Sequence, residues 1–127
     1  MIPGELRYTA EHEWVREEAD GALTFGITHH AQEALGDIVF VSLPPAGAEL
    51  TAGSTCGEVE STKSVSDIFA PVSGKVTEVN ARLETSPEVI NASPYGDGWM
   101  VRVVPTDPGQ LAGLLSAAEY ESLTSGS

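Results

Sequence analysis

Basic side chains are scarce in this chain of 127 residues: Lys and Arg number 6 against 19 Asp and Glu, for a formal net charge of −13. That balance argues against nucleic acid as a partner, because neutralising phosphates takes clustered Lys and Arg. Cysteine is nearly absent. Cys56 stands alone, so there is no disulfide framework, and a reducing, cytoplasmic setting is expected. No apolar run reaches membrane-spanning length, and Met1-Ile2-Pro3-Gly4-Glu5 lacks the basic and apolar regions of a signal peptide. The expectation is a soluble protein with no membrane partner. Catalytic signatures are missing too. There is no His-x-x-x-His or Cys-x-x-Cys spacing for a metal, no Gly-x-Ser-x-Gly elbow and no Gly-x-x-x-x-Gly-Lys phosphate loop. His29 and His30 are adjacent, and on a helix they point about 100° apart, which does not suit one shared metal.

Short β-forming runs between Gly and Pro punctuation dominate what is present. His12 to Arg16 and Ala22 to Ile27 flank Asp20-Gly21, which predicts a two-residue hairpin turn. Leu23, Phe25 and Ile27 alternate with smaller residues, as in a strand with one buried face. Thr28 is placed to cap a short helix with Ala31, Ala34 and Leu35 on its apolar side and Gly36 just past its end. Ile38 to Leu43 is almost continuously apolar, which predicts a central strand ended by Pro44-Pro45. Ala48 to Ser54 reads as turn-rich, Lys75 to Val79 as a strand, Arg82 to Pro94 as mostly loop, and Gly98 to Val104 as a strand. Asp107-Pro108-Gly109-Gln110 and Ser116-Ala117-Ala118-Glu119 each open a short C-terminal helix, the second carrying Tyr120 and Leu123. The pattern is that of one mainly β domain, residues 1–127, a sandwich or flattened barrel with helices at one end.

One stretch stands out, Glu60-Ser61-Thr62-Lys63-Ser64-Val65-Ser66-Asp67. It sets one of only two lysines between short hydroxyl and β-branched residues, with strand-like runs on both sides. Such a lysine belongs at the tip of a hairpin, exposed and reproducibly placed for another enzyme. As a nucleophile itself it is poorly suited: a free lysine has a pKa of about 10.4, and Glu60 and Asp67 nearby favour the protonated form. Cys56, inside a predicted strand, reads as a small buried apolar residue.

Five separate motifs then point the same way. They are Tyr8-Thr9-Ala10-Glu11-His12-Glu13-Trp14-Val15, Gly26-Ile27-Thr28 with Ala31-Gln32, and Leu35-Gly36-Asp37-Ile38-Val39-Phe40-Val41. The lysine stretch with Ala70-Pro71-Val72-Ser73-Gly74 follows, and then Asn91-Ala92-Ser93-Pro94-Tyr95-Gly96-Asp97-Gly98-Trp99. From about Leu6 to Leu123 the chain resembles the glycine cleavage system H proteins, which are lipoyl carriers. Thr62 stands where a valine is common and Ser93 where an aspartate is frequent.

The resemblance implies a barrel-sandwich hybrid of the lipoyl and biotinyl type. It implies covalent lipoate on Lys63, attached by a lipoate ligase or a lipoyl/octanoyl transferase that reads Glu60, Ser61, Thr62 and Ser64. It also implies a non-catalytic carrier serving glycine decarboxylase, aminomethyltransferase and dihydrolipoamide dehydrogenase (the P, T and L proteins). His12, Glu13, His30 and Asp67 are the expected lining of a cleft in which the loaded arm shelters. Three alternatives stay open at this point: a lipoyl domain of 2-oxo acid dehydrogenases, an H-like protein that relays lipoyl groups, and an unmodified β-fold interaction module. A 2-oxo acid dehydrogenase domain usually carries Asp-Lys-Ala at the tip, and a biotin carrier Met-Lys-Met; neither is present.

Overall fold

The computed structural model describes residues 3–107 and 109–125. In chain order the strands are β1 (Arg7–Tyr8), β2 (Glu13–Glu17), β3 (Leu23–Ile27), β4 (Ile38–Ser42), β5 (Glu49–Leu50), β6 (Thr55–Ser61), β7 (Val65–Phe69), β8 (Gly74–Val79) and β9 (Val101–Pro105). The helices are α1 (His29–Leu35), α2 (Arg82–Thr85), α3 (Val89–Ala92), α4 (Gly109–Ala112) and α5 (Ala117–Ser125). Two antiparallel sheets result, one ordered β1-β2-β3-β9-β8-β5 and the other β4-β6-β7. They face each other across one core, to which Phe25, Val101 and Val103 come from the larger sheet and Val41, Val59 and Ile68 from the smaller. A second cluster, Leu6, Tyr8, Trp14 and Tyr120, closes the end where α5 docks.

Local chemistry explains the elements. The Thr28 hydroxyl accepts from the Ala31 amide and so caps α1, and Gly36 ends it at φ 86°, a backbone setting that favours glycine. At α5 the expected capping box forms in both directions: the Ser116 amide donates to Glu119 Oε1 at 2.8 Å, and the Glu119 amide donates to Ser116 Oγ at 3.2 Å. Asp107 caps α4 by accepting from the Gly109 amide at 3.0 Å, whereas Pro108 between them lies outside the described residues.

Several expectations are corrected. The β2–β3 connection is not a two-residue turn: the Glu18 amide donates to the Ala22 carbonyl, leaving Ala19, Asp20 and Gly21 as a three-residue loop in which Gly21 alone takes positive φ. β2 starts at Glu13 and not at His12, which sits in a tight turn at φ 70°. β3 is buried on both faces. Thr24 on its polar face donates to Glu18, itself paired with Arg16 and Arg102, and Gly26 lies under Trp14, where a Cβ would sit 3.1 Å from the indole nitrogen.

The apolar run from Ile38 forms an edge strand, not a central one, because among the described residues only β6 pairs with it. Ala34 is exposed on α1 while Gln32 is buried, and Leu123 is exposed on α5. Arg82 to Pro94 holds two helical turns, α2 and α3, each too short for apolar periodicity to reveal. The last strand begins at Val101, three residues later than expected.

Candidate functional site

The hairpin of β6 and β7 closes over Thr62, Lys63 and Ser64, and Lys63 is exposed at its tip. Its shape is held from inside by Ser61, which is 7 % exposed. The Ser61 hydroxyl accepts from the amides of Lys63 at 3.1 Å and Ser64 at 3.0 Å, and donates to the Ser64 carbonyl at 3.1 Å. One hydroxyl thereby uses its donor and both acceptor positions, and holds the turn from within. Of the residues expected to be read by a modifying enzyme, Glu60, Thr62 and Ser64 are exposed. Ser61 is turned inward and sets the turn.

A second set of contacts ties the tip to the body. The Thr62 amide donates to the Asp37 carbonyl at 3.0 Å, and the lysine stem lies along Gly36, where a Cβ would approach Lys63 Cε to 3.1 Å. The corner between α1 and β4 thus serves as a shelf for the lysine. Asn91 on α3 holds that corner: its Oδ1 accepts from the Ile38 amide at 2.9 Å, and its Nδ2 donates to the Gly36 carbonyl and to Gln32 Oε1, each at 2.9 Å. The sequence marked Gly36 only as the end of α1 and assigned no role beside the lysine to Gly36, Asp37 or Asn91. An asparagine in a stretch read as loop carries no sign of three partners supplied by distant residues.

The four expected cleft residues are only partly brought together. His12 and His30 stack, with ring centroids 4.6 Å apart. His12 Nδ1 meets the Tyr120 hydroxyl at 2.7 Å, and that hydroxyl also meets Thr28 Oγ1 at 2.8 Å. Burial lowers the His12 pKa, and the neighbouring His30 lowers it further. Glu13 is 2 % exposed; its carboxylate accepts from Thr9 Oγ1 at 3.0 Å and from the Phe69 amide at 2.8 Å. Burial pushes its pKa up to about 7, against the opposing pull of those two hydrogen bonds. Glu13 also lines a cleft of about 290 Å³ with Glu11, Ala70 and Leu114. Asp67 is exposed on β7 opposite Glu58, and among the described residues no hydrogen bond or ion pair joins its side chain to Glu13. Cys56 lies in β6 against the core, and burial pushes its thiol up to about 12, far from a reactive thiolate. Among the described residues no three His, Cys, Asp or Glu are grouped to hold a metal, and no helix is long and apolar enough to cross a membrane. At Ser93 the hydroxyl accepts from the Asp97 amide at 3.3 Å, an acceptor role that an aspartate at this position also fills.

Comparison with known proteins places this geometry. The family profile described as Glycine cleavage H-protein matches residues 6–126. The glycine cleavage system H protein of Halorhodospira halophila is 53 % identical over 123 residues, covering 97 % of this chain and 95 % of the relative. That of Klebsiella pneumoniae is 53 % identical over 122 residues, with 96 % and 95 % covered. A crystal structure of the Mycobacterium marinum glycine cleavage system H protein superposes with a TM-score of 0.88 at 48 % identity, covering 99 % of this chain and 100 % of that one. The two packed sheets with short helices are therefore a barrel-sandwich of the lipoyl type.

Proposed function

Since the chain belongs to the glycine cleavage H-protein family, the lipoyl carriers of the glycine cleavage system, we propose that Lys63 is its lipoyl attachment point. One observation carries this reading above the others: Lys63 is exposed at a hairpin tip whose backbone is fixed by the buried Ser61 hydroxyl and tied to Asp37. The fit to an acyl group is direct. An exposed amine on a fixed turn is accessible to an activated acyl donor, and the stem rests against Gly36 without a side chain in its way.

A lipoyl group on Lys63 supplies reversible dithiol–disulfide chemistry for carrying an aminomethyl unit between enzymes. The chain's own residues do the placing. Ser61 and Asp37 fix where the lysine leaves the body, and Asn91 keeps the Asp37 corner in place. A tethered group samples a partner's active site at an effective concentration of the order of millimolar, which replaces repeated capture from solution. The partners of this reading are glycine decarboxylase, aminomethyltransferase and dihydrolipoamide dehydrogenase, with a lipoate ligase or lipoyl/octanoyl transferase loading the lysine. Glu13, His12 and His30 are proposed to line the sheltering cleft; the 290 Å³ cleft beside Glu13 holds neither histidine among its described lining residues. Titrating near 7, Glu13 takes or releases a proton according to whether a cationic amine lies beside it. Asp67 faces outward and is the least supported member of the set.

Intact mass after expression with lipoate tests the attachment. Wild type gains one lipoyl increment and Lys63→Arg gains none; an increment retained in Lys63→Arg overturns the assignment.

A further inference from the structure

The outer face of the small sheet carries large apolar and acidic side chains together, exposed to water. β4, β6 and β7 place Phe40, Glu60 and Val65 side by side in one register row, and Ser42, Glu58 and Asp67 in another on the same face. Phe40 is 55 % exposed and Val65 58 %, with Val39 at 49 % beside them, so three large apolar side chains ring the base of the lysine tip. Glu58, Glu60 and Asp67 stand among them, and among the described residues none of the three forms an ion pair. Water-exposed apolar groups flanking unpaired carboxylates suit a protein surface with an apolar patch rimmed by Lys or Arg. A second copy of this chain is a poor occupant, because it brings the same acids and a net charge of −13.

We propose that this face docks the enzyme that acylates Lys63, through Phe40 and Val65 and, electrostatically, through Glu58 and Asp67. The proposal rests on the reading of Lys63 given above. The geometry favours this occupant over the enzymes that use the loaded carrier. Before acylation the reacting atom is Nζ itself, with no arm to extend its reach, so the acylating enzyme has to cover the tip. A standard interface buries about 800 Å² per partner, a disc of roughly 16 Å radius. Glu60 is three residues from Lys63, at most about 10 Å along the chain. A footprint centred on Lys63 therefore includes the Phe40–Glu60–Val65 row. In the step itself the lysine amine attacks the carbonyl of an activated lipoyl donor. The amide C–N bond forms, the activating group leaves with its bonding electrons, and the amine gives up a proton.

The test is steady-state acylation of the unmodified chain by a purified lipoate ligase with lipoate and Mg-ATP, read by intact mass. The substrates compared are wild type, Lys63→Arg, Phe40→Ser/Val65→Ser and Glu58→Gln/Asp67→Asn, each checked for an unchanged melting profile. The apolar double variant is expected to lose at least ten-fold in kcat/KM, mostly through KM. The charge variant is expected to flatten the salt dependence of kcat/KM. Should the apolar double variant not fold, Val65→Thr with the charge variant carries the same comparison. If wild type is acylated, Lys63→Arg is not, and the surface variants stay within two-fold of wild type at every salt concentration, the docking face is overturned while the lysine assignment stands. If wild type is not acylated at all, or Lys63→Arg still is, the lysine assignment falls and the docking face with it.

Discussion

Ser61 and Ser64 are joined three times over: the Ser61 amide donates to the Ser64 carbonyl at 2.8 Å, the Ser61 hydroxyl donates to the same carbonyl at 3.1 Å, and the Ser64 amide donates back to that hydroxyl at 3.0 Å. Three residues of chain therefore turn on one side chain. The lysine is carried on a fixed support and not on a flexible loop.

Removing that hydroxyl should loosen the tip. Ser61→Ala leaves the Lys63 and Ser64 amides without their acceptor and is expected to cost about 1–2 kcal/mol in urea unfolding. The sharper readout is amide hydrogen exchange. Protection at Lys63 and Ser64 should fall while protection in β2, β3 and β9 is unchanged once corrected for global stability.

Asn91 offers a test of the shelf at a distance from the lysine. Asn91→Ala strands the Ile38 amide, the Gly36 carbonyl and Gln32 Oε1 together, and a loss of about 2 kcal/mol or more is expected. Asn91→Asp keeps an acceptor for the Ile38 amide but sets a carboxylate against two oxygens. It should be no more stable than Asn91→Ala near neutral pH and should recover on acidification, when the carboxyl regains a proton to donate.

Glu13 predicts a pH dependence whose sign is fixed by its raised pKa. The native state binds the proton more tightly than the unfolded chain, so the contribution is fully favourable below about 4.5 and is lost as pH rises through about 7. The whole span is worth about 3 kcal/mol. Stability measured for wild type minus Glu13→Gln should fall by that order between pH 4.5 and 8, with other titrating groups cancelling in the difference. A flat difference would mean that the carboxylate is solvated in the native state.

Much of this is legible in the sequence. The lysine tip announced itself because hydroxyl residues interrupt two β-forming runs, and the Ser116–Glu119 box because both of its bonds are local. Thr28 and Gly36 marked α1 for the same reason. What stayed hidden depends on partners far along the chain. Glu13 was marked only by the family resemblance, and nothing local to it tells that its carboxylate is bonded to an amide 56 residues away. Asn91 reads as loop because α3 is a single turn. β4 reads as central because its composition is apolar, and composition alone does not say how many neighbours a strand has. His12 at φ 70° shows the same limit: the turn that strains it is set by Thr9 and Thr28, not by its own preference.

The irregular step in β4 has a further consequence. Ile38 pairs with Ser61 and Phe40 with Glu60, so Val39 is an extra residue at the open edge of the small sheet. An unbroken edge of four apolar residues, Ile38 to Val41, is the kind of template on which identical chains stack into fibrils. The extra residue puts the edge out of step, α2 packs beside it, and Pro44-Pro45 beyond its end offer no amide to a neighbour. A protein that presents apolar side chains around its lysine is in this way kept from polymerising through them.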